Sequence, residues 1–230
     1  MRPIPRGRRW RRRVRFGTIR RTTPVSDRWG WDRGTPIDRR FIEWFLADCR
    51  RDIRGRVLEI RDRRYTDRYG RDVEQSDVLD IDELNNDATL VADLRATEEL
   101  PVDRFDCFIL AQTLQYVYEL EPAVVSSHRL LRPGGVVLAT VPAVSRIARS
   151  AGLDGDYWRF TSASCRRLFS NVFGAEHVEV RTYGNVFAAV AFLMGLAAEE
   201  LAEQELLTVD EFFPVLIAVR ATKQQSATVV

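Results

Sequence analysis

The five residues Cys107–Ala111, "CFILA", are apolar without a break. A strand with one wet face alternates apolar and polar residues. A strand that is apolar throughout is covered on both faces, as a parallel strand between two helix layers is. This run points to an α/β architecture. Arg56–Ile60, Asp77–Ile81, Thr89–Ala92 and Val136–Val141 read as companion strands. Helical spacing predicts helices at about 37–51, over Pro122–Leu131, over Ser162–Phe169 and at about 186–204. "RPGG", Arg132–Gly135, ends the second of these as a turn. His177–Tyr183 and Val215–Ala221 read as late strands. The order predicts a mostly parallel sheet in one domain, with no internal repeat.

The 230 residues carry a net charge of +2 that hides an asymmetry. Residues 1–21 hold ten arginines and no acid, so the other 209 residues carry 25 basic and 33 acidic groups, about −8. Residues 1–22 read as a basic disordered arm, 23–222 as the folded domain and 223–230 as a flexible tail. Such an arm attracts nucleic acid or an anionic membrane; the plainer readings are a solvated tail or a mis-assigned translation start. Cys49, Cys107 and Cys165 lack CxxC or Cys/His spacing, which argues against a disulfide framework or a zinc site and suits a reducing compartment. The longest uncharged apolar stretch, Val186–Ala198, is too short to span a bilayer. A cytoplasmic location is the expectation.

Ligands of open α/β sheets bind beyond the carboxyl ends of the strands, so strand-end residues are the candidates for a site. Here these are Glu59, Asp82, Asp93, Gln112 and Thr113. Three carboxylates suit a ligand with an amine and ribose hydroxyls and fit a bare polyphosphate poorly. No GxxxxGK[ST] is present, which excludes a P-loop. "GDYWRFT", residues 155–161, sets Tyr157, Trp158 and Arg159 in a loop after a strand, where aromatics beside an arginine suit a sugar or an anionic group. His128 and His177 read as structural or exposed residues.

The segments "VLEI" (57–60), "VLDID" (78–82), "VADL" (91–94), "FDCFILAQTLQYV" (105–117), "HRLLRPGGVVLATVP" (128–142) and "DYWRFTSASCRRLF" (156–169) stand in the order seen in class I S-adenosylmethionine-dependent methyltransferases. The chain resembles that family over roughly residues 36–221. With "DRGTPIDR" (32–39), "GDYWRFT" and "YGNVFAAVAFLMGLAAEEL" (183–201), it is similar to a bacterial branch associated with glycosyltransferases and polysaccharide assembly. The resemblance implies a Rossmann-like methyltransferase fold with a late antiparallel strand and S-adenosyl-L-methionine as cofactor. Its acceptor would be a small molecule or glycan precursor, and glycan-assembly enzymes its partners. By position, Glu59 would lie near the methionine amine and Asp82 at the ribose hydroxyls. Asp93 and Leu94 would face the adenine, and Gln112 and Thr113 the transferable methyl. The general-base candidates are Asp154, Asp156, Tyr157 and Tyr183, with Asp156 and Tyr157 the catalytic assignment and Trp158, Arg159 and Tyr183 the substrate contacts.

One position departs sharply. The family's loop reads acid-x-Gly-x-Gly-x-Gly, and its three glycine places hold Arg61, Arg63 and Tyr65. Arg61 either obstructs the methionine end of the cofactor or grips its carboxylate. The alternatives in other functional classes are a non-catalytic scaffold with the same fold and an RNA methyltransferase that uses the arginine arm.

Overall fold

A computed structural model describes residue 17 and residues 20–225. Most of the predicted basic arm, and residues 226–230 of the predicted tail, lie outside the described residues. Of that tail, Lys223 is built into the fold. Its Nζ donates to Asp103 Oδ1 at 2.6 Å and to the Leu131 carbonyl at 2.8 Å.

Helix α1 (Ile37–Asp48) leads into β1 (Gly55–Ile60), α2 (Arg64–Tyr69) and β2 (Val73–Asp80). Then come β3 (Leu90–Val91), β4 (Phe105–Ala111), α3 (Leu120–Leu130) and β5 (Leu131–Pro142). Helix α4 (Ser162–Phe173), β6 (Val178–Tyr183), α5 (Val186–Leu193), α6 (Glu203–Leu207) and β7 (Leu216–Thr222) complete the order. The seven strands form one sheet in the order β3-β2-β1-β4-β5-β7-β6. Strands β1 to β5 are parallel, and β7 runs antiparallel to both β5 and β6.

The apolar run in β4 does what its composition requires. Phe108 and Leu110 join one core with residues of α3 and α4, while Cys107 and Ile109 join a second core with α1 and α5. All four are fully buried. The sheet is thus covered on both faces, and the three cysteines are free and buried.

Three boundaries differ from the sequence reading. "RPGG" does not end α3 as a turn; it is a bulged stretch inside β5, where the register jumps from Phe105↔Leu131 to Cys107↔Val136. Gly135 is required there because a Cβ would lie 2.9 Å from the carbonyl oxygens of Phe105 and Arg132. The long helix expected at 186–204 is broken after Leu193. Gly195 has φ +75° and no room for a Cβ against the Ser26 carbonyl, so the chain turns and resumes as a 3₁₀ turn and the short α6. The third correction concerns β2, which ends at Asp80 and not at Asp82. Ile81 continues the apolar alternation in sequence but is 66% exposed.

Candidate functional site

The strand order reverses direction between β1 and β4, the switch point at which open α/β sheets bind ligands. A cavity of about 410 Å³ opens there. From β1 and its loop it takes Glu59, Arg61, Asp62, Arg64 and Tyr65, and from the end of β2 Asp80. Gln112, Thr113, Gln115 and Tyr116 follow β4, and Ser145, Arg146, Asp156 and Arg159 follow β5. Trp29, Asp38 and Arg39 close it from the segment before β1.

Glu59 is 2% exposed and binds the start of α2. It accepts from the Tyr65 N–H at 3.1 Å, the Thr66 N–H at 2.8 Å and the Thr66 hydroxyl at 2.8 Å. Burial pushes its carboxyl up to about 7, against the downward pull of the Thr66 donors. Over the window from about 4.5 to about 7 the folded state therefore holds a proton that the unfolded chain releases. That contribution to stability is full below about 4.5 and declines as pH rises to about 7, by about 3 kcal/mol. Urea unfolding of the wild type and of Glu59→Gln at pH 5 and pH 8 is expected to show the wild type losing ground at the higher pH. Parallel stabilities at the two pH values would contradict this.

Arg61 carries φ +71°, so the backbone keeps the left-handed turn that a glycine would adopt without strain. Its N–H donates to the Leu79 carbonyl at 2.9 Å and its carbonyl accepts from Asn85 Nδ2 at 2.7 Å, which ties the loop to β2 and to the turn after it. Among the described residues its guanidinium makes no hydrogen bond or ion pair. At the next two glycine places, Arg63 has φ −105° and Tyr65 is helical and buried, so neither needs a glycine.

Asp80 accepts from Asn85 Nδ2 at 2.7 Å and from the Asp82 N–H at 3.1 Å, and has acceptor capacity left toward the cavity. Asp82 is exposed, does not line the cavity, and accepts from the Leu84 N–H at 2.9 Å as a turn residue. Asp93 is also outside: it forms a forked pair with Arg95, with Nη2 to Oδ2 at 2.7 Å. Leu94 is a core residue at 6% exposure.

Gln112 has φ +49°, a second strained residue at a strand end. Gln115 Nε2 donates to the Gln112 carbonyl and to Gln112 Oε1, both at 3.0 Å. The backbone acceptor fixes the Gln115 amide, so Gln112 Nε2 is left as a buried donor without a partner. Thr113 lines the same wall, and its hydroxyl donates to the Ala111 carbonyl at 3.1 Å.

The "GDYWRFT" loop divides. Asp156 and Arg159 line the cavity as a bidentate pair, at 2.6 and 3.0 Å. Burial raises the Asp156 carboxyl, but Arg159 and the Ala148 N–H outweigh it and hold the group below the usual range. An acid held ionised this way makes a weak base. Tyr157 is 47% exposed and meets Tyr118 edge-on, outside the cavity. Trp158 stacks on Tyr118 and donates to the Val117 carbonyl at 3.0 Å, a packing role. Tyr183 stacks on Phe41 in the core under α1, and Asp154 is exposed; neither lines the cavity.

The sequence reading missed Asp38, Arg39, Trp29, Asp80 and Arg146. Asp38 sits in the first turn of α1, where an acid reads as a favourable helix start. Burial raises its carboxyl above the usual range, opposed by the Arg39 charge and N–H. Oδ1 accepts from the Arg39 N–H at 2.7 Å, and no hydrogen bond or ion pair among the described residues reaches Oδ2. Arg39 lies over the rings of Trp31 and Tyr65, and Arg146 lies 3.5 Å from the Trp29 ring. Arg146 donates to the carbonyls of Asp27 and Ile147, while its Nε is buried with no partner.

Residues 54–139 match a family model described as a methyltransferase domain. The chain has the Rossmann-like fold of class I methyltransferases. Solved structures agree in fold. A putative sarcosine dimethylglycine methyltransferase from Galdieria sulphuraria is 14% identical, with 82% of this chain and 90% of that one covered at a TM-score of 0.55. An S-adenosylmethionine-dependent methyltransferase from Mesorhizobium loti is 16% identical, with 81% and 98% covered at 0.50. The [4+2]-cyclase SpnF is 17% identical, with 84% of each chain covered at 0.52. A cyclase with a similar fold shows that the fold alone does not name the reaction. No protein of curated function matches the chain.

The methyl donor of class I methyltransferases is S-adenosylmethionine, and the residues of this cavity fit it. An acid stands at the end of β2, a buried carboxylate at the end of β1, and a partnerless amide donor after β4. Among the described residues no group of three or more His, Cys, Asp or Glu side chains could hold a metal ion. No described helix is long and apolar enough to cross a membrane.

Proposed function

We propose that the chain transfers a methyl group from S-adenosylmethionine to a hydroxyl of an acidic sugar or glycan precursor. The single observation that carries this is the cavity at the β1/β4 switch point, lined by Asp80 from the end of β2 and Glu59 from the end of β1. The bound cofactor supplies an electrophilic methyl on a sulfonium. The chain's own residues hold, align and deprotonate.

Asp80 would accept the ribose hydroxyls in the place first expected for Asp82. Glu59 would face the ammonium and Arg61 the carboxylate. A hydroxyl acceptor needs a base as its oxygen attacks. Asp38 supports that part best, with a raised carboxyl and one oxygen open on the cavity. Asp38 would take the proton of the attacking hydroxyl. Arg39 and Arg146 make no pair with a carboxylate among the described residues, which supports an acceptor carrying a carboxylate or phosphate.

The test is incubation with methyl-labelled S-adenosylmethionine and a panel of nucleotide sugars, uronic acids, neutral sugars and RNA. Label is expected in an alkali-stable ether on an acidic member. Asp38→Asn is expected to lower kcat by at least about 100-fold while cofactor affinity stays within about threefold. Label in RNA instead, or a fully active Asp38→Asn, would contradict the assignment.

A further inference from the structure

Trp29, Asp38 and Arg39 line the cavity but stand before the first strand, so the sheet itself does not hold them. They belong to a strap, residues 25–36, and to the first turn of α1 that follows it. The strap is fastened at both ends to the stretch just after α5. At its start the N–H groups of Val25 and Ser26 donate to the Met194 carbonyl at 2.7 and 3.2 Å. At its end Pro36 bridges Ala197, and the Ala198 N–H donates to the Thr35 carbonyl at 2.7 Å.

Two glutamates of the 3₁₀ turn Ala198–Glu200 complete the second fastening. Glu199 accepts from the Thr35 N–H at 2.8 Å and from Arg40 Nη2 at 2.9 Å. Glu200 takes both Nε, at 2.9 Å, and Nη2 of Arg33, and accepts from the Ala197 N–H at 2.8 Å. Neither glutamate lines the cavity.

Between its fastenings the strap meets the loop after β5. Arg146 Nη2 donates to the Asp27 carbonyl at 2.6 Å, Arg149 pairs with Asp27 at 3.0 Å, and Trp29 Nε1 donates to Ser145 Oγ at 3.3 Å. Trp29 has φ +56°, a conformation that a side chain of this bulk keeps only when its surroundings impose it. Gly30 follows at φ +91°, where a Cβ would lie 2.8 Å from the Leu196 carbonyl oxygen. A strap that slackens lets Trp29 relax and frees the first turn of α1 to shift. Glu59, Arg61 and Asp80, on the other side of the cavity, come from β1, β2 and the loop between them, and make no hydrogen bond to the strap.

We propose that Glu199 and Glu200 are positioning residues for the acceptor: through the strap they set the wall made by Trp29, Asp38 and Arg39, and they leave the cofactor side untouched. The inference rests on the assignment of Asp38 and Arg39 to the acceptor. Exposed ion pairs contribute little to the stability of a whole fold, whereas a small misplacement of a reacting group costs rate steeply. The two glutamates therefore act on turnover more than on folding.

The test compares the full-length wild type with Glu199→Ala, Glu199→Gln and the double variant Glu199→Ala/Glu200→Ala. The double variant is expected to lose at least about tenfold in kcat/KM for the acceptor, while its affinity for S-adenosylmethionine by titration calorimetry stays within about threefold. Hydrogen–deuterium exchange is expected to quicken over residues 25–40 and to stay unchanged over β1 to β5. Glu199→Gln keeps an oxygen for the Thr35 N–H and is expected to lose less than Glu199→Ala. An acceptor kcat/KM within about threefold of the wild type in the double variant overturns the proposal. Equal losses for acceptor and cofactor overturn it too, because they mark a general structural role, and so does unchanged exchange over residues 25–40. If the wild type methylates no member of the acceptor panel, the proposed function fails by itself, and the exchange comparison alone decides whether the two glutamates hold the strap.

Discussion

Asp80→Asn is expected to weaken S-adenosylmethionine binding by about 10- to 150-fold, and Asp82→Asn by less than about threefold. The first figure is the 1.5–3 kcal/mol that hydrogen bonds to a charged group contribute, converted to affinity. The contrast follows from where β2 stops. Asp80 is its last residue and borders the cavity, while Asp82 is committed to the turn beyond it. Asparagine preserves the size of the side chain at 80, so the Asn85 contact is disturbed less than by truncation. Equilibrium titration of the two variants checks the pair. Equal losses, or the larger loss at Asp82, would mean that the loop after β2 closes differently around the cofactor.

Arg61 carries the second large effect. Its left-handed backbone costs an arginine about 1–2 kcal/mol relative to glycine. Arg61→Gly removes that strain but frees the unfolded chain, so net stability is expected to rise by less than about 1 kcal/mol. Cofactor affinity is expected to fall by about 10- to 100-fold, because a guanidinium without a partner among the described residues, lining the cavity beside Glu59, is lost. Arg61→Ala separates the two contributions: it keeps the strain, loses the charge, and should bind as poorly as the glycine variant. Tighter binding by Arg61→Gly would show that the side chain obstructs the cofactor.

Two of the five described non-glycine residues at positive φ, Arg61 and Gln112, stand at adjacent strand ends across the switch point. Strain held in place by the surrounding structure is a mark of functional sites. At Arg61 the loop is fastened by one hydrogen bond to Leu79 of β2 and one to Asn85 in the turn after it, and at Gln112 by the Gln115 amide and by the Gln112 N–H donating to the Thr140 carbonyl at 2.8 Å.

The fold was legible because its signal is redundant. The apolar run of β4 needs cover on both faces, and the helical spacings on either side supply it. The cavity was legible only where strand ends are sharp. Glu59, Arg61, Gln112 and Thr113 could be placed on it by following strands, and Asp156 and Arg159 by their loop. Asp82 was displaced by two residues, because Ile81 extends the apolar alternation past the true end of the strand. Asp38 carried no local signal, since an acid opening an amphipathic helix already has a structural explanation. Its approach to the cavity is a tertiary event. Trp158 and Tyr183 show the converse: aromatics beside a site-like motif pack against neighbours and not against the cavity.

Isothermal titration of the full chain with S-adenosylmethionine addresses the central claim most directly. Saturable binding is expected at one molecule per chain, tighter than about 1 mM. Below pH 7 it should weaken, as Glu59 must release a proton before it can face an ammonium. A folded chain that takes up no cofactor at millimolar concentration would contradict the assignment of this cavity.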